Sequence, residues 1–333
     1  MTDLKSYKDI WVFAEIDQIN KSLKNITLEL LTSANKLAGE LGCKTAVVII
    51  GQENKKFFGE FAKYGADIIY NIEDISFTHY DTQNYFQILF ALTKKYKPEA
   101  ILFPSTYIGR DLAPRLASRL YCGLTADCTA LSVKDGNLVQ SRPAFGGNIM
   151  ADIICPATRP QMATVRPNIL PKIALTVPKQ PQIIEEHFKA VPSKVRLVKT
   201  EKETESEILK PEEADIVISV GRGVKNEETF AAIKEMAHKL GAALGATRPI
   251  VEDGILPKNH QIGQSGVSVK PKIYISFGIS GALQHTVGMN SSGLIISVNK
   301  DDKAPIFNIC QYGFVGDVEQ IVPKILQAIN KSK

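Results

Sequence analysis

Apolar residues over the first hundred positions fall into short continuous runs separated by amphipathic stretches. Ile10–Ala14, Thr45–Ile50, Ala66–Tyr70 and Ala100–Phe103 have the length and apolar content of buried strands. Between them, Lys24–Leu41 puts Leu28, Leu31, Ala34, Leu37, Ala38 and Leu41 on one helical face, and Gly42 stops it. Phe57–Tyr64 and Thr82–Tyr96 also read as helices. Apolar strands alternating with helices predict a parallel sheet covered on both faces.

The pattern then changes. A loop and helix over 104–120 carry Arg110, Arg115 and Arg119, either a phosphate loop or a solvated, partner-facing basic helix. Gly123–Cys128, Leu131–Lys134, Leu138–Pro143, Ile149–Cys155, Gln161–Arg166 and Lys172–Val177 are short strand patterns with turn signals, predicting an antiparallel β extension. Residues 199–213 are charged and poor in apolar side chains, which places a domain boundary there: a scaffold and partner-interface domain over 1–207 and a ligand domain over 208–333. Ala214–Val220 reopens the strand–helix alternation, with Thr229–Leu240 directing Phe230, Ile233, Ala237 and Leu240 inward. The last helix, Asp317–Ile329, has Asp317 as its N-cap. The expected fold class is α/β, with two doubly wound parallel-sheet domains, the first bearing the antiparallel extension.

The stretch 272–289 is a strand, a glycine turn and the start of a helix near Ala282. Gly278 and Gly281 bracket the turn, where backbone amides can approach a pyrophosphate, and Ser280 and Gln284 add side-chain donors. About twenty residues after the first glycine, where such a unit carries its ribose-binding group, the strand Leu294–Val298 runs into Asn299 and Asp301.

Composition narrows the classes. The 333 residues are 44% hydrophobic and 23% charged, enough for about two domains. The net charge of +5 comes from scattered Lys and Arg, which argues against nucleic acid. Cys43, Cys122, Cys128, Cys155 and Cys310 form no Cys-x-x-Cys pair, so no metal or iron–sulfur site is expected. Without a leader pattern or an apolar run of membrane-spanning length, the expected location is the cytoplasm, with no membrane partner.

Four loops of the second domain agree in type: Gly221-Arg222-Gly223; Gly245-Ala246-Thr247-Arg248-Pro249; Gln261-Ile262-Gly263-Gln264-Ser265-Gly266; and Tyr274–Met289, with His285 in the first helical turn. These motifs, in this order, resemble the carboxy-terminal FAD domain of the electron transfer flavoprotein α subunits. Gly123–Thr129 and Pro160–Pro167 resemble the bacterial and anaerobic branch of that family.

The resemblance implies one FAD on this chain and a heterodimer with a β subunit that carries AMP or a second FAD. By the family pattern, Arg222 and Ser280 meet the pyrophosphate, with Gly278, Ile279, Gly281, Ala282, Leu283 and Gln284 around it. Asn299 and Asp317 belong at the adenosine end. Thr247, Arg248, Gln264, Ser265 and His285 belong near the flavin ring, and Gln261, Ile262 and Gly263 belong to the cofactor-binding loops as well. A cation such as Arg248, or a donor such as His285, would stabilise negative charge on the reduced ring. No catalytic nucleophile or carboxylate pair is expected; the work is electron transfer. The implied partners are a flavin-dependent dehydrogenase of the acyl-CoA type and, in an NADH-dependent electron-bifurcating system, ferredoxin or flavodoxin. The alternatives are a housekeeping single-FAD carrier and a self-contained NAD- or FAD-dependent oxidoreductase.

Overall fold

The computed structural model describes residues 4–17, 19–144, 149–199 and 209–331. Two compact units emerge, Met1–Glu201 and Lys202–Lys333. Most of the charged run expected at the boundary, residues 200–208, lies outside the described residues.

The first unit runs β1 (Ile10–Phe13), α1 (Asn25–Leu41), β2 (Thr45–Gly51), α2 (Phe58–Lys63), β3 (Ile68–Glu73), α3 (Thr82–Tyr96), β4 (Ala100–Pro104), α4 (Tyr107–Leu120), β5 (Leu124–Cys128), β6 (Ala130–Lys134), β7 (Asn137–Ala144), β8 (Ile149–Ile153), β9 (Gln161–Val165) and β10 (Gln182–Glu185). Seven strands form one sheet in the order β10-β3-β2-β1-β4-β9-β5, every neighbour parallel. The strands β1, β2 and β4 are buried along their whole length, as continuous apolar runs require when both faces are covered. On α1, Leu28, Leu31, Ala34, Leu37 and Ala38 are buried and Leu41 packs at the margin.

The β extension is smaller than expected. Only β6, β7 and β8 make the antiparallel sheet. The expected strands at 123–128 and 161–166 join the parallel sheet instead, as β5 and β9. Both short segments are bounded by turn signals, which do not reveal the sheet they enter. β9 is also disguised by Gln161, whose buried amide donates to Glu99 and accepts from the Leu138 N–H. Lys172–Val177 is not a strand: its backbone bonds go singly to Lys63 and Thr32, between prolines 171 and 178 that cannot donate to a ladder. β10 follows Pro181 directly and adds an edge strand that none of the expected strand patterns covers.

The second unit comprises β11 (Ile216–Val220), α5 (Glu227–Leu240), β12 (Ala243–Ala246), α6 (Arg248–Glu252), β13 (Ile273–Phe277), α7 (Leu283–Thr286), β14 (Leu294–Asn299), β15 (Tyr312–Val315) and α8 (Val318–Lys331). Its parallel sheet has the order β12-β11-β13-β14-β15. One face buries Ile218, Val220, Leu244, Phe277 and Val298 against Ile233, Met236 and Ala237 of α5 and Val318 and Val322 of α8. Each fully buried Val, Leu, Ile, Phe or Met side chain among these contributes about 1.5–3 kcal/mol. Asp317 caps α8, its Oδ1 accepting the Glu319 N–H at 3.0 Å.

The other face is different. Val217, Ala243, Tyr274 and Ile295 pack under Ile262, Val269 and Met289, which come from segments without a long helix. Nearer the carboxyl ends, Gly245, Ser219, Ser276, Ser297 and Gly313 stand side by side in register across all five strands, a row of small residues. No helix among the described residues is long and apolar enough to cross a membrane.

Candidate functional site

In the second sheet the chain passes from β11 to β12 on one side and later returns to β13 on the other. This reversal opens a crevice between the carboxyl ends of β11 and β13, the usual ligand position in such sheets. The loops after these two strands interlock. A Cβ on Gly278, whose φ is +65°, would stand 2.6 Å from the Gly223 Cα, and one on Gly221 would stand 2.4 Å from the Gly278 carbonyl oxygen. The Gly223 N–H donates to that carbonyl at 3.1 Å. Arg222, between the two glycines, is exposed at the tip.

After Gly278, Ile279 is buried while Ser280, Ala282, Leu283 and Gln284 are exposed. The turn is pinned at Gly281, where φ is +86° and a Cβ would meet the Ile306 nitrogen at 2.3 Å. It is pinned again by the Ile306 N–H donating to the Ser280 carbonyl, and by Asn299, whose buried amide donates to the Ile279 carbonyl at 2.8 Å. The successive backbone N–H groups of Ile279 through Gln284 donate to no protein acceptor among the described residues. Consecutive unpaired amides of this kind are the sort of backbone that can accept an anion. The helix expected from Ala282 amounts to one turn, α7, so the free amides belong to the turn itself rather than to the end of a long helix. Asn299 acts on this turn as a brace, a role its position at the end of β14 does not disclose. Asp317 is exposed at the start of α8.

The third and fourth loops meet one another. Thr247 is half-buried after β12, and Arg248 is exposed with its Nε 2.7 Å from Glu252 Oε1. The Ile262 N–H donates to the Ala246 carbonyl, and Gln261 Nε2 donates to Ser265 Oγ at 2.9 Å. Gln264 and Ser265 are exposed, and the Gln264 N–H donates to the Gln284 carbonyl at 2.7 Å, tying this loop to α7. Gly263 is buried at the seam between them.

His285 sits behind the seam, 7% exposed. Its Nδ1 is 3.0 Å from the Ile262 carbonyl oxygen, which can only accept, so Nδ1 carries the proton. Its Nε2 is 2.8 Å from the Tyr274 hydroxyl, which donates. Burial pushes His285 down to about 4, with the bond to Ile262 opposing, so the ring is neutral near pH 7. Burial likewise drives the Tyr274 phenol above its ordinary range. Both ring nitrogens therefore serve protein groups. In the sequence Tyr274 is simply part of the strand before the glycine turn, and its place eleven residues before His285 is the one trace of this contact.

The basic helix of the first unit resolves differently. Arg110 reaches Ser105 and Asp127, while Arg115 and Arg119 lie over the rings of Phe86 and Phe90.

The family comparison fits this geometry. A family described as the electron transfer flavoprotein domain matches residues 10–191, and the electron transfer flavoprotein FAD-binding domain matches residues 211–290. An electron transfer flavoprotein subunit alpha from Thermoanaerobacterium thermosaccharolyticum is 44% identical, covering 99% of this chain and 100% of that one. The chain belongs to the electron transfer flavoprotein α-subunit family. The chain is also similar to an acryloyl-CoA reductase electron transfer subunit beta from Anaerotignum propionicum, 38% identical over 99% of this chain and 98% of that one, and to a lactate dehydrogenase (NAD(+),ferredoxin) subunit LctC from Acetobacterium woodii, 39% identical over 98% of this chain and 78% of that one. The match of the second unit to the family's FAD-binding domain supports a flavin cofactor. The site residues from Arg222 to His285 lie inside the matched stretch, and Asn299 and Asp317 lie beyond it.

Proposed function

We propose that the chain is the α subunit of a heterodimer that holds one FAD on its second unit and passes electrons between a flavin-dependent dehydrogenase and a second redox partner. The observation that carries this reading is the run of unpaired amides from Ile279 through Gln284 beside the β11–β13 crevice. Such a run suits the pyrophosphate of a dinucleotide, with Arg222 and Ser280 supplying side-chain contacts. Asn299 holds the turn in shape, and Asp317 belongs at the adenosine end. Thr247, Arg248, Gln264 and Ser265 crown the loops on the other side, where exposed donors and a cation suit the edge of a flavin ring. FAD, when bound, supplies one- and two-electron redox chemistry. The chain's own residues bind and orient it, shield it from water, and place positive charge where reduction puts negative charge.

The same reading assigns the heterodimer to an NADH-dependent electron-bifurcating system, with a second FAD on the β subunit and ferredoxin or flavodoxin as the low-potential acceptor. A relative whose name couples NAD(+) to ferredoxin, and another named for an acyl-CoA reductase, support this assignment. The dehydrogenase is then of the acyl-CoA or 2-hydroxy-acid class, and the complex works in the cytoplasm of an anaerobe. The test is a flavin count on this chain copurified with its β subunit, followed by NADH titration. Two FAD per heterodimer, reduced by NADH, is the expected result. One FAD with AMP and no response to NADH identifies a simple carrier, and absence of flavin overturns the site.

A further inference from the structure

Three successive peptides of the turn after β13 share one arrangement. The Gly278 carbonyl accepts from the Gly223 N–H at 3.1 Å, the Ile279 carbonyl from Asn299 Nδ2 at 2.8 Å, and the Ser280 carbonyl from the Ile306 N–H at 3.0 Å. The N–H groups of the same peptides, those of Ile279, Ser280 and Gly281, donate to no protein acceptor among the described residues. Two of the three ties run from backbone to backbone. The tie on the middle peptide is made by a side chain, that of Asn299.

Asn299 can make this tie in one orientation alone. Its Nδ2 meets a carbonyl, which only accepts, and its Oδ1 meets the Asp301 N–H at 3.0 Å, which only donates. The side chain is buried, and the two bonds together decide which end of the amide faces the turn.

In a planar trans peptide the C=O and the N–H that follows it point opposite ways. β14 and β11 flank β13 on opposite sides. Drawing the Ile279 carbonyl towards the end of β14 therefore sends the Ser280 N–H towards β11, the side on which the crevice opens. Without a donor at position 299 this carbonyl becomes a buried acceptor with no partner, a state that is relieved when the peptide turns to reach water. Turning it brings the carbonyl oxygen, in place of the N–H, to the crevice side, where an oxygen repels an anion.

We propose that Asn299 is a positioning residue of this turn: without touching the ligand, its amide aims the Ser280 N–H into the crevice and so sets the affinity for a pyrophosphate group. The inference rests on the reading of the turn as the place where the pyrophosphate of a dinucleotide binds.

The experiment uses this chain labelled with 15N at serine, copurified with its unlabelled β subunit and stripped of flavin. Ser280→Ala identifies the Ser280 amide by its loss from the spectrum. Inorganic pyrophosphate is expected to move that signal to saturation. Asn299→Leu, close in size but without a donor, should raise the dissociation constants for pyrophosphate and for FAD about tenfold. Asn299→Asp keeps the acceptor for Asp301 and sets a second acceptor against the Ile279 carbonyl, so its loss is at least as large. The amides of Ser219 and Ser276, within the sheet, hold their positions in both variants.

Unchanged pyrophosphate affinity in Asn299→Leu overturns the proposal, as does a wild-type Ser280 amide that pyrophosphate leaves in place. Displacement of the Ser219 and Ser276 amides in Asn299→Leu also overturns it, because Asn299 then supports the sheet and not one peptide. If the wild-type complex binds pyrophosphate at Ser280 but takes up no FAD, the flavin reading fails, while the pyrophosphate constants still decide the role of Asn299.

Discussion

The Gly223 Cα lies 2.6 Å from the point a Cβ on Gly278 would occupy. The loops that flank the crevice are therefore in contact backbone to backbone, and neither can change shape without the other. Gly278→Ala adds an atom into that contact and forces a side chain onto a residue with φ +65°. It should destabilise the second unit by about 2 kcal/mol or more and strip FAD from the purified heterodimer. Gly39 lies inside α1 with nothing within 4 Å of an added Cβ, and Gly39→Ala should stabilise the first unit by roughly 0.5–1 kcal/mol. Urea unfolding of the two variants checks both signs.

Asp127 gives the first unit an acid-sensitive joint. Burial alone would raise its carboxyl, but the bond and charge of Arg166 at 2.5 Å, with Arg110 and Ser105, hold it below the usual carboxylate range. A folded-state value below the unfolded one stabilises the fold above the unfolded pKa, and the contribution disappears as pH falls through the folded value. Unfolding midpoints should therefore fall below about pH 4, and Asp127→Asn should flatten that decline. Residue 127 has φ +62°, which Asn adopts readily, so the substitution tests the charge rather than the backbone.

His285 sets a second pH window in the other unit. Its folded-state value of about 4 lies below the 6.5 of the free side chain, so between these values the unfolded chain binds a proton that the folded one refuses. Stability of the second unit should fall as pH drops from 6.5 towards 4. His285→Asn should remove this part of the slope, which hydrogen exchange of the second unit across the same pH range would show.

Arg248 and Glu252 form an exposed pair four residues apart on α6. Such pairs add little stability, so Glu252→Gln should change unfolding by less than about 0.5 kcal/mol. On the flavin reading, the same change frees the guanidinium and moves the midpoint potential upward, while Arg248→Ala moves it downward. Potentiometric titration of the heterodimer distinguishes the two, and identical potentials in both variants would remove Arg248 from the site.

The parts of this architecture that were legible in the sequence are those set by local rules. The Thr82–Tyr96 helix begins and ends as its periodicity requires, and continuous runs such as Ile10–Phe13 are central strands. The glycines at 221, 223, 278 and 281 marked the site because close backbone approach leaves a mark that one residue type can satisfy. What was hidden depends on partners distant in sequence. Gln161 looks like a surface residue until Glu99 and the Leu138 N–H occupy its amide inside the sheet. Tyr274 looks like an ordinary strand residue until His285 folds back upon it. Membership of β5 and β9 in the larger sheet is likewise a matter of which edges remain open, and no spacing along the chain records that.

The sheet of the second unit carries helices α5 and α8 on one side and mainly short turns and loops over a row of glycines and serines on the other. Segments with few apolar anchors open at small free-energy cost, well below that of global unfolding. Whatever occupies the crevice then serves as a missing piece of the protein's interior. Its affinity and the cohesion of the loops become one linked equilibrium, so the apparent stability of this half of the chain should climb with the logarithm of ligand concentration once the site begins to saturate.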